Sequence, residues 1–169
     1  PDHLMPFKPL DLSRRLLIDE VTERNLEIFT RLNGRKGKGT LRHVLDDTMT
    51  PMGGRFLEDM LRHPWREAGP IARIQEAVAF FHDDDNRRAV LREALREVYD
   101  LERLSTRISL NRGGPRDFIA LRNSLAALPK VHNALITSTD GSYATEAQSL
   151  GHELPQSLYQ IVKTWDHLE

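Results

Sequence analysis

The stretch GRKGKGT, residues 34–40, combines the glycines and cations of a loop that could cradle a phosphate. A P-loop needs G-x-x-x-x-G-K-[ST], in which the lysine and the hydroxyl reach phosphate and metal. Here Gly39 runs directly into Thr40 with no lysine between, and no strand pattern precedes it, so a solvated basic loop is the better reading. Seven histidines are present, but none forms an H-x-x-x-H pair and H-E-x-x-H is absent. The run HDDD, residues 82–85, could ligate a cation. Acidic residues at a helix start also satisfy free backbone N–H groups and complement the dipole, and that capping role is favoured. Ser, His and Asp all occur, yet no G-x-S-x-G elbow marks a nucleophile. The arginines of DLERLSTRISLNR, residues 100–112, suggest a strip for nucleic acid. Asp100 and Glu102 interleave with them, so Arg103 and Arg107 fit surface or interhelical ion pairs better. With no cysteine, disulfides, thiolate zinc sites and thiol catalysis are excluded together. No catalytic, metal or cofactor-binding residue is therefore expected.

If no chemistry stands out, the elements themselves carry the information. A chain of 169 residues has room for one domain with a core, and 29% charged residues with 39% hydrophobic ones describe a globular protein. The formal net charge of −1 supplies no whole-chain field to hold a polyphosphate. No apolar run approaches the roughly 18 residues of a membrane span, and the start, PDHLMPFKPLDL, lacks a signal-peptide pattern. A reducing, cytoplasmic setting fits. Three prolines and no initiator methionine give residues 1–15 the character of a linker inside a longer protein, and Leu168-Glu169 that of a cloning remnant.

Apolar residues recur with helical rather than alternating period, which predicts an all-α, irregular multi-helix bundle over residues 16–167. Asp19 should cap a helix over residues 20–29, and Thr40 a short one carrying Leu41, Val44 and Leu45. Thr50-Pro51 should open a helix with Phe56, Leu57, Met60 and Leu61, ended by His63-Pro64. Gly69-Pro70 should start another, with Ile71, Ile74, Val78 and Phe81 in one stripe. From Asn86 the period continues through Val98 to Ile108, with a break near Tyr99-Asp100. Gly113-Gly114-Pro115 should stop and restart the chain into a helix over 116–128 with Phe118, Leu121, Leu125 and Leu128 on one face; Pro129 should begin a further helix over 131–136. A polar loop over 137–143 and short helices over 144–150 and 156–167 complete the reading.

One feature of this pattern is costly. The helix opened by TPMGGR spends Gly53 and Gly54 in its first turn, where each interior glycine costs about 1 kcal/mol relative to alanine. Thr50 can accept from free N–H groups, and Pro51 stands where a missing N–H costs nothing. The glycines then remove side chains where another segment must approach, leaving Arg55 to reach an acidic partner, Glu102 or Asp100. The plainer alternative is an ordinary capped helix with tolerated glycines.

The order LLIDEVTERNLEIF, TLRHVLDDTMTPMGGRFLEDMLRHP, RIQEAVAFF, YDLERLSTRISL and GGPRDFIALRNSLAALP resembles the core, or lever, region of the MutS family of DNA mismatch-repair proteins. The resemblance runs from Leu16 to Pro129, and the combination of T-P-M-G-x-R, D-L-E-R and P-R-D is what makes it specific. It implies a segment of a dimeric protein that binds mismatched double-stranded DNA and uses ATP and Mg2+ in a separate ATPase domain, with no ATP site in this segment. The partners it implies are neighbouring domains of the same chain, mismatched DNA and a second subunit, with no membrane. Among positions matching the family, Asn25, Leu101 and Arg103 read as architectural, alongside Thr50, Pro51, Gly53, Arg55, Pro64, Glu102 and Pro115 as a structural junction. The role implied is a structural and allosteric relay, not an enzyme. A stand-alone protein-interaction module and a helix-turn-helix DNA binder are the competing classes. As an excised piece, the chain should expose apolar surface that neighbours cover.

Overall fold

The computed structural model describes residues 14–136. The loop expected over 137–143, the helices expected over 144–150 and 156–167, and residues 1–13 of the expected linker lie outside the described residues. Seven helices follow one another: α1 (Glu20–Asn25), α2 (Leu41–Leu45), α3 (Pro51–Arg62), α4 (Ala68–His82), α5 (Asp85–Arg96), α6 (Leu101–Ser109) and α7 (Pro115–Ile136). No strand forms among the described residues; two isolated antiparallel bridges, Arg15 with Trp65 and Thr30 with Lys36, are the extended pairing present. The architecture is all-α, as the period of the sequence predicts.

Caps set most of the helix starts. The carboxylate of Asp19 accepts from Thr22 N–H at 2.6 Å, and the hydroxyl of Thr40 accepts from His43 N–H at 3.3 Å. The Asp84 carboxylate accepts from Arg87 N–H at 2.9 Å, the role expected of the HDDD run. Arg88 closes the same corner by donating to the Phe81 carbonyl at 2.8 Å, at the end of α4. At the head of α7, Gly114 N–H donates to the Asp117 carboxylate at 2.9 Å while Asp117 N–H donates to the Gly114 carbonyl at 2.9 Å. That reciprocal arrangement explains why glycine, proline and aspartate occur there together.

Three boundaries differ from expectation. α1 stops at Asn25 rather than Phe29, because Glu27 adopts φ 50°, a left-handed conformation that ends the helix. The turn swings Ile28 and Phe29 into the interior, where both are buried, and the Glu27 carboxylate accepts from Leu32 N–H at 2.6 Å. α4 opens at Ala68, so Gly69 and buried Pro70 lie within its first turn, where a missing N–H leaves no bond unmade. Pro129 does not begin a new helix: α7 runs through it from Pro115 to Ile136. Ala127 before the proline and Ala134 and Leu135 after it are all buried, so packing on both sides offsets the lost backbone bond.

Six of the helices fall into two clusters, and α4 packs against α5. α1, α2 and α3 gather around Ile28, Phe29 and the buried Thr40, with the Arg62 guanidinium 4.2 Å over the Phe29 ring. α5, α6 and α7 pack around Ala94, Val98, Leu104, Ala127, Ala134 and Leu135. The buried line of α7 passes through Ser124 and Ala127 towards Ala134, whereas Phe118 and Leu125, expected on the inward face, are more than half exposed. Small residues at spacings of three and seven let α7 lie close to α5, and bulk was the wrong guide to which face turns inward.

A candidate structural junction between two helical clusters

The joint between the clusters is built at the first turns of α3 and α6. Thr50 Oγ1 accepts from Gly53 N–H at 3.0 Å, and Pro51 occupies the first position of α3. A Cβ on Gly53 would lie 3.2 Å from that same Oγ1 and 3.4 Å from Thr48 Cβ; one on Gly54 would lie 3.4 Å from Thr48 Oγ1. The segment that approaches the glycines is therefore the chain's own lead-in, Thr48 and Thr50, held by Thr48 Oγ1 donating to Asp46 at 2.7 Å. Glycine leaves room for the cap rather than for a distant helix.

Arg55, one residue further, crosses to α6. Its two terminal nitrogens donate to the Asp100 carboxylate at 2.7 and 2.8 Å, a bidentate pair, and one of them also donates to Glu102. Asp100 is at the same time the N-cap of α6, accepting from Arg103 N–H at 3.1 Å. Asp100 is 9% exposed, while Arg55 remains half exposed and Glu102 largely so. The Arg55 hydrogen bonds, reinforced by Arg103 N–H, hold the Asp100 carboxyl down at about 2, and the two acids push the Arg55 guanidinium upward. The pair is thus ionised at any physiological pH. A second tie runs parallel: Arg92 of α5 donates to the Asp47 carbonyl at 2.9 Å and meets its carboxylate at 2.9 Å, in the turn before α3.

Thr50, Pro51, Gly53, Arg55, Leu101, Glu102 and Arg103 are brought together here. Leu101 is half-buried beside the fully inward Leu104, and the Arg103 side chain is exposed. The other three lie elsewhere. Asn25 is the exposed last residue of α1. The Pro64 carbonyl accepts from Leu16 N–H at 2.8 Å, pinning the chain before α1 to the end of α3. Pro115 opens α7, where Asp117 pairs with Arg107 at 3.1 Å. Residues missing from the expected set are Asp47 and Arg92, which no sequence spacing joins, and Ser124. The Ser124 hydroxyl donates to the Ala120 carbonyl at 2.8 Å and accepts from Tyr99 N–H at 2.9 Å, inside the C-terminal cluster. A serine in the middle of an apolar-periodic helix is a signal only in retrospect.

The arrangement consists of helix caps and ion pairs. Among the described residues, no group of three or more His, Cys, Asp or Glu could hold a metal ion. In the basic loop the hydroxyl is turned inward. Thr40 is 2% exposed, and its hydroxyl is committed to donating to the Gly37 carbonyl at 2.9 Å while accepting from His43 N–H. What the junction can do is fix the angle between two helical units through directional, charge-assisted bonds.

A match to the model of the family described as MutS domain III covers residues 21–166, nearly the whole chain. The chain belongs to the MutS domain III family. It is 68% identical, over 100% of its length, to the DNA mismatch repair protein MutS of Desulfovibrio desulfuricans. It is 60% identical over 98% of its length to that of Nitratidesulfovibrio vulgaris, and 48% identical over 99% to that of Lawsonia intracellularis. In each case the chain spans about 19% of the relative. The chain is thus a segment of a mismatch-repair protein, and no helix among its described residues is long and apolar enough to cross a membrane. Within this family assignment, T-P-M-G-x-R and D-L-E-R correspond to the two halves of one ion-paired joint, Arg55 against Asp100 and Glu102.

Proposed function

We propose that this segment is a structural and allosteric relay: a jointed strut that carries displacement between neighbouring domains of a longer protein and does no chemistry itself. The parent protein in this reading binds mismatched double-stranded DNA with a second subunit and hydrolyses ATP with Mg2+ in another domain, in the cytoplasm. The observation that supports it is the junction itself. Two clusters, each with its own buried residues, are tied across by Arg55 to Asp100 and Glu102 and by Arg92 to Asp47, while the extensive helix packing lies among α5, α6 and α7. Packed units joined by a few directional bonds rearrange as bodies, which is the physical requirement for transmitting a shift.

A helix-turn-helix DNA binder needs a basic recognition helix free to meet phosphate or bases. On α6 the Arg107 guanidinium is instead held by Asp117, and the acidic Asp100 and Glu102 stand at the helix start, facing Arg55. The test is made in the full-length parent protein with Arg55→Met. Mismatch binding without nucleotide and basal ATP hydrolysis should persist, while ATP-dependent release from mismatched DNA slows by about tenfold or more, the size of a typical coupling free energy. Unchanged release, with the joint broken, would remove the relay. The 169-residue chain alone should show no salt-dependent DNA binding.

A further inference from the structure

An apolar groove of about 750 Å³ lies between α3 and α4. Phe56 and Met60 of α3 form one wall, Ile74, Val78 and Phe81 of α4 the other, and Trp65 stands between them. Phe56 is 63% exposed and Val78 61%, an unusual disposition for two large apolar side chains facing each other across a groove.

The chain itself arrives at this groove. Leu16 N–H donates to the Pro64 carbonyl at 2.8 Å and Arg66 N–H to the Arg14 carbonyl at 3.0 Å, so the stretch leaving the described region is clamped alongside Trp65. The Arg15 guanidinium lies 3.4 Å over the Trp65 ring and donates to the His63 carbonyl at 2.7 Å. Immediately before this clamp stands LMPFKPLDL, residues 4–12, with Leu4, Met5, Phe7, Leu10 and Leu12 as its apolar side chains. Pro6 and Pro9 exclude a regular helix and bias Met5 and Lys8 towards extended conformations. Proline-set extended segments dock in aromatic-lined grooves with little entropy left to lose. Lengths agree: nine residues at about 3.1 Å each reach roughly 28 Å, and the 15 residues of α4 extend roughly 22 Å. The groove lining carries Asp59 and Arg73, opposite in charge to Lys8 and Asp11 of this stretch.

We infer that the α3–α4 groove is the docking site for residues 4–12 of this same chain, laid along it as an extended strap that starts at the Arg15–Trp65 clamp. This goes beyond the relay reading and does not depend on it. In the wider protein the strap makes the connection from the preceding domain arrive on α3, whose other end carries Arg55, instead of hanging free.

The chain contains no cysteine, so introduced pairs report without background. In the 169-residue chain, Phe7→Cys, Leu10→Cys and Leu12→Cys are each combined with Val78→Cys, and separately with Val44→Cys on α2 as the control. Oxidation should crosslink at least one strap position to residue 78 within a single chain, with yields about fivefold or more above those of the Val44→Cys pairs. A parallel readout uses Trp165→Phe, which leaves Trp65 as the sole indole. Leu10→Asp with Leu12→Asp should then raise acrylamide quenching of Trp65 about twofold while far-ultraviolet circular dichroism stays unchanged. Equal crosslinking at residues 78 and 44, crosslinks only between chains, or quenching indifferent to the aspartates would each overturn the inference. Protection of Trp65 that grows with protein concentration would do the same, because it would assign the groove to a second copy.

Discussion

The N-terminal and C-terminal clusters are held together by different physics. Around α1–α3 the buried apolar residues are Ile28 and Phe29, and the rest is polar bonding: Glu23 to Arg62, Arg62 to Glu58, Glu58 to Arg42. Around α5–α7 an apolar seam runs from Ala94 to Leu135, and the fully buried Ser124 within it both donates and accepts a hydrogen bond. Exposed ion pairs adapt to displacement at little cost, whereas a packed seam moves as a unit or comes apart. Both clusters leave large apolar side chains in solvent, Leu17, Val21, Leu26 and Val44 on the first and Leu110, Phe118, Ile119 and Leu125 on the second, the pattern of surfaces finished by contact with something else. On the proposed relay reading, the difference assigns the stiffness of this segment to its C-terminal half and its adaptability to its N-terminal half, with Arg55 at the boundary.

That contrast is broken most forcefully at Leu104, 2% exposed at the centre of the second cluster. Leu104→Ala should destabilise the chain by about 2–5 kcal/mol in chemical denaturation, whereas Val44→Ala, 74% exposed on α2, should fall within about 0.5 kcal/mol of zero. Comparable losses at both sites would dissolve the distinction between the clusters. Next in size is Ser124→Ala, which removes the buried hydroxyl that accepts from Tyr99 N–H and should cost about 1–3 kcal/mol in the same measurement. A neutral result would mean that the turn between α5 and α6 can reach solvent, and that the seam is less closed than it looks.

The boundary has its own signature in pH. The Asp100 carboxyl, ordinarily near 3.8, is held at about 2 by Arg55, so the folded state releases this proton more readily than the unfolded one. A depressed carboxyl contributes stability that is complete above about pH 4 and is lost as pH falls towards 2. Asp100→Asn keeps an effective helix cap and removes the charge. The gap in melting temperature between the unsubstituted chain and this variant should be constant from pH 7 to about 4 and then close by about pH 2. Asp19, Asp46 and Asp117 are also held low, by hydrogen bonds from Thr22 N–H, the Thr48 hydroxyl and Gly114 N–H, but they are common to both proteins and cancel in the difference. A gap that persists unchanged to pH 2 would show that Asp100 acts as a cap alone and not as one side of a joint. Arg14→Ala, which removes an exposed pair with Glu67, should shift stability by less than about 1 kcal/mol.

How much of this was legible depended on whether the signal was local. Caps at Asp19, Thr40, Thr50 and Asp84 are readable because the capping side chain and the N–H groups it satisfies lie within three residues. The reach of Arg55 to Asp100 and Glu102 was readable because T-P-M-G-x-R and D-L-E-R each mark a helix start, one with a cation and the other with two acids to spare. Asp47 with Arg92 was not, since nothing local distinguishes that aspartate from its neighbour Asp46. The early end of α1 rests on one left-handed residue, Glu27, whose type gives no warning. Pro129 misled for the opposite reason: its local rule is strong, and tertiary packing overrode it. The inward face of α7 was misread because large residues draw the eye, although close helix packing selects small ones.

The smallest effects sharpen the boundary at its tightest point. At Gly53 an added methyl gains up to about 1 kcal/mol of helix propensity, but it would press to 3.2 Å on the Thr50 Oγ1 that caps the helix. At Gly54 the nearest atom, Thr48 Oγ1, is 3.4 Å away, an ordinary contact, so the propensity gain survives there. Gly54→Ala should therefore raise stability by up to about 1 kcal/mol, while Gly53→Ala gains less than that or loses. Gly53→Val, which adds branching directly against the cap, should lose clearly. Thr50→Ala, costing about 0.5–2 kcal/mol by itself, supplies the control. In that background the cap oxygen is gone, and the penalty at Gly53 relative to Gly54 should shrink. If the two glycines respond alike with and without Thr50, their presence is ordinary tolerance, and the room they leave does nothing for the geometry that aims Arg55 at Asp100.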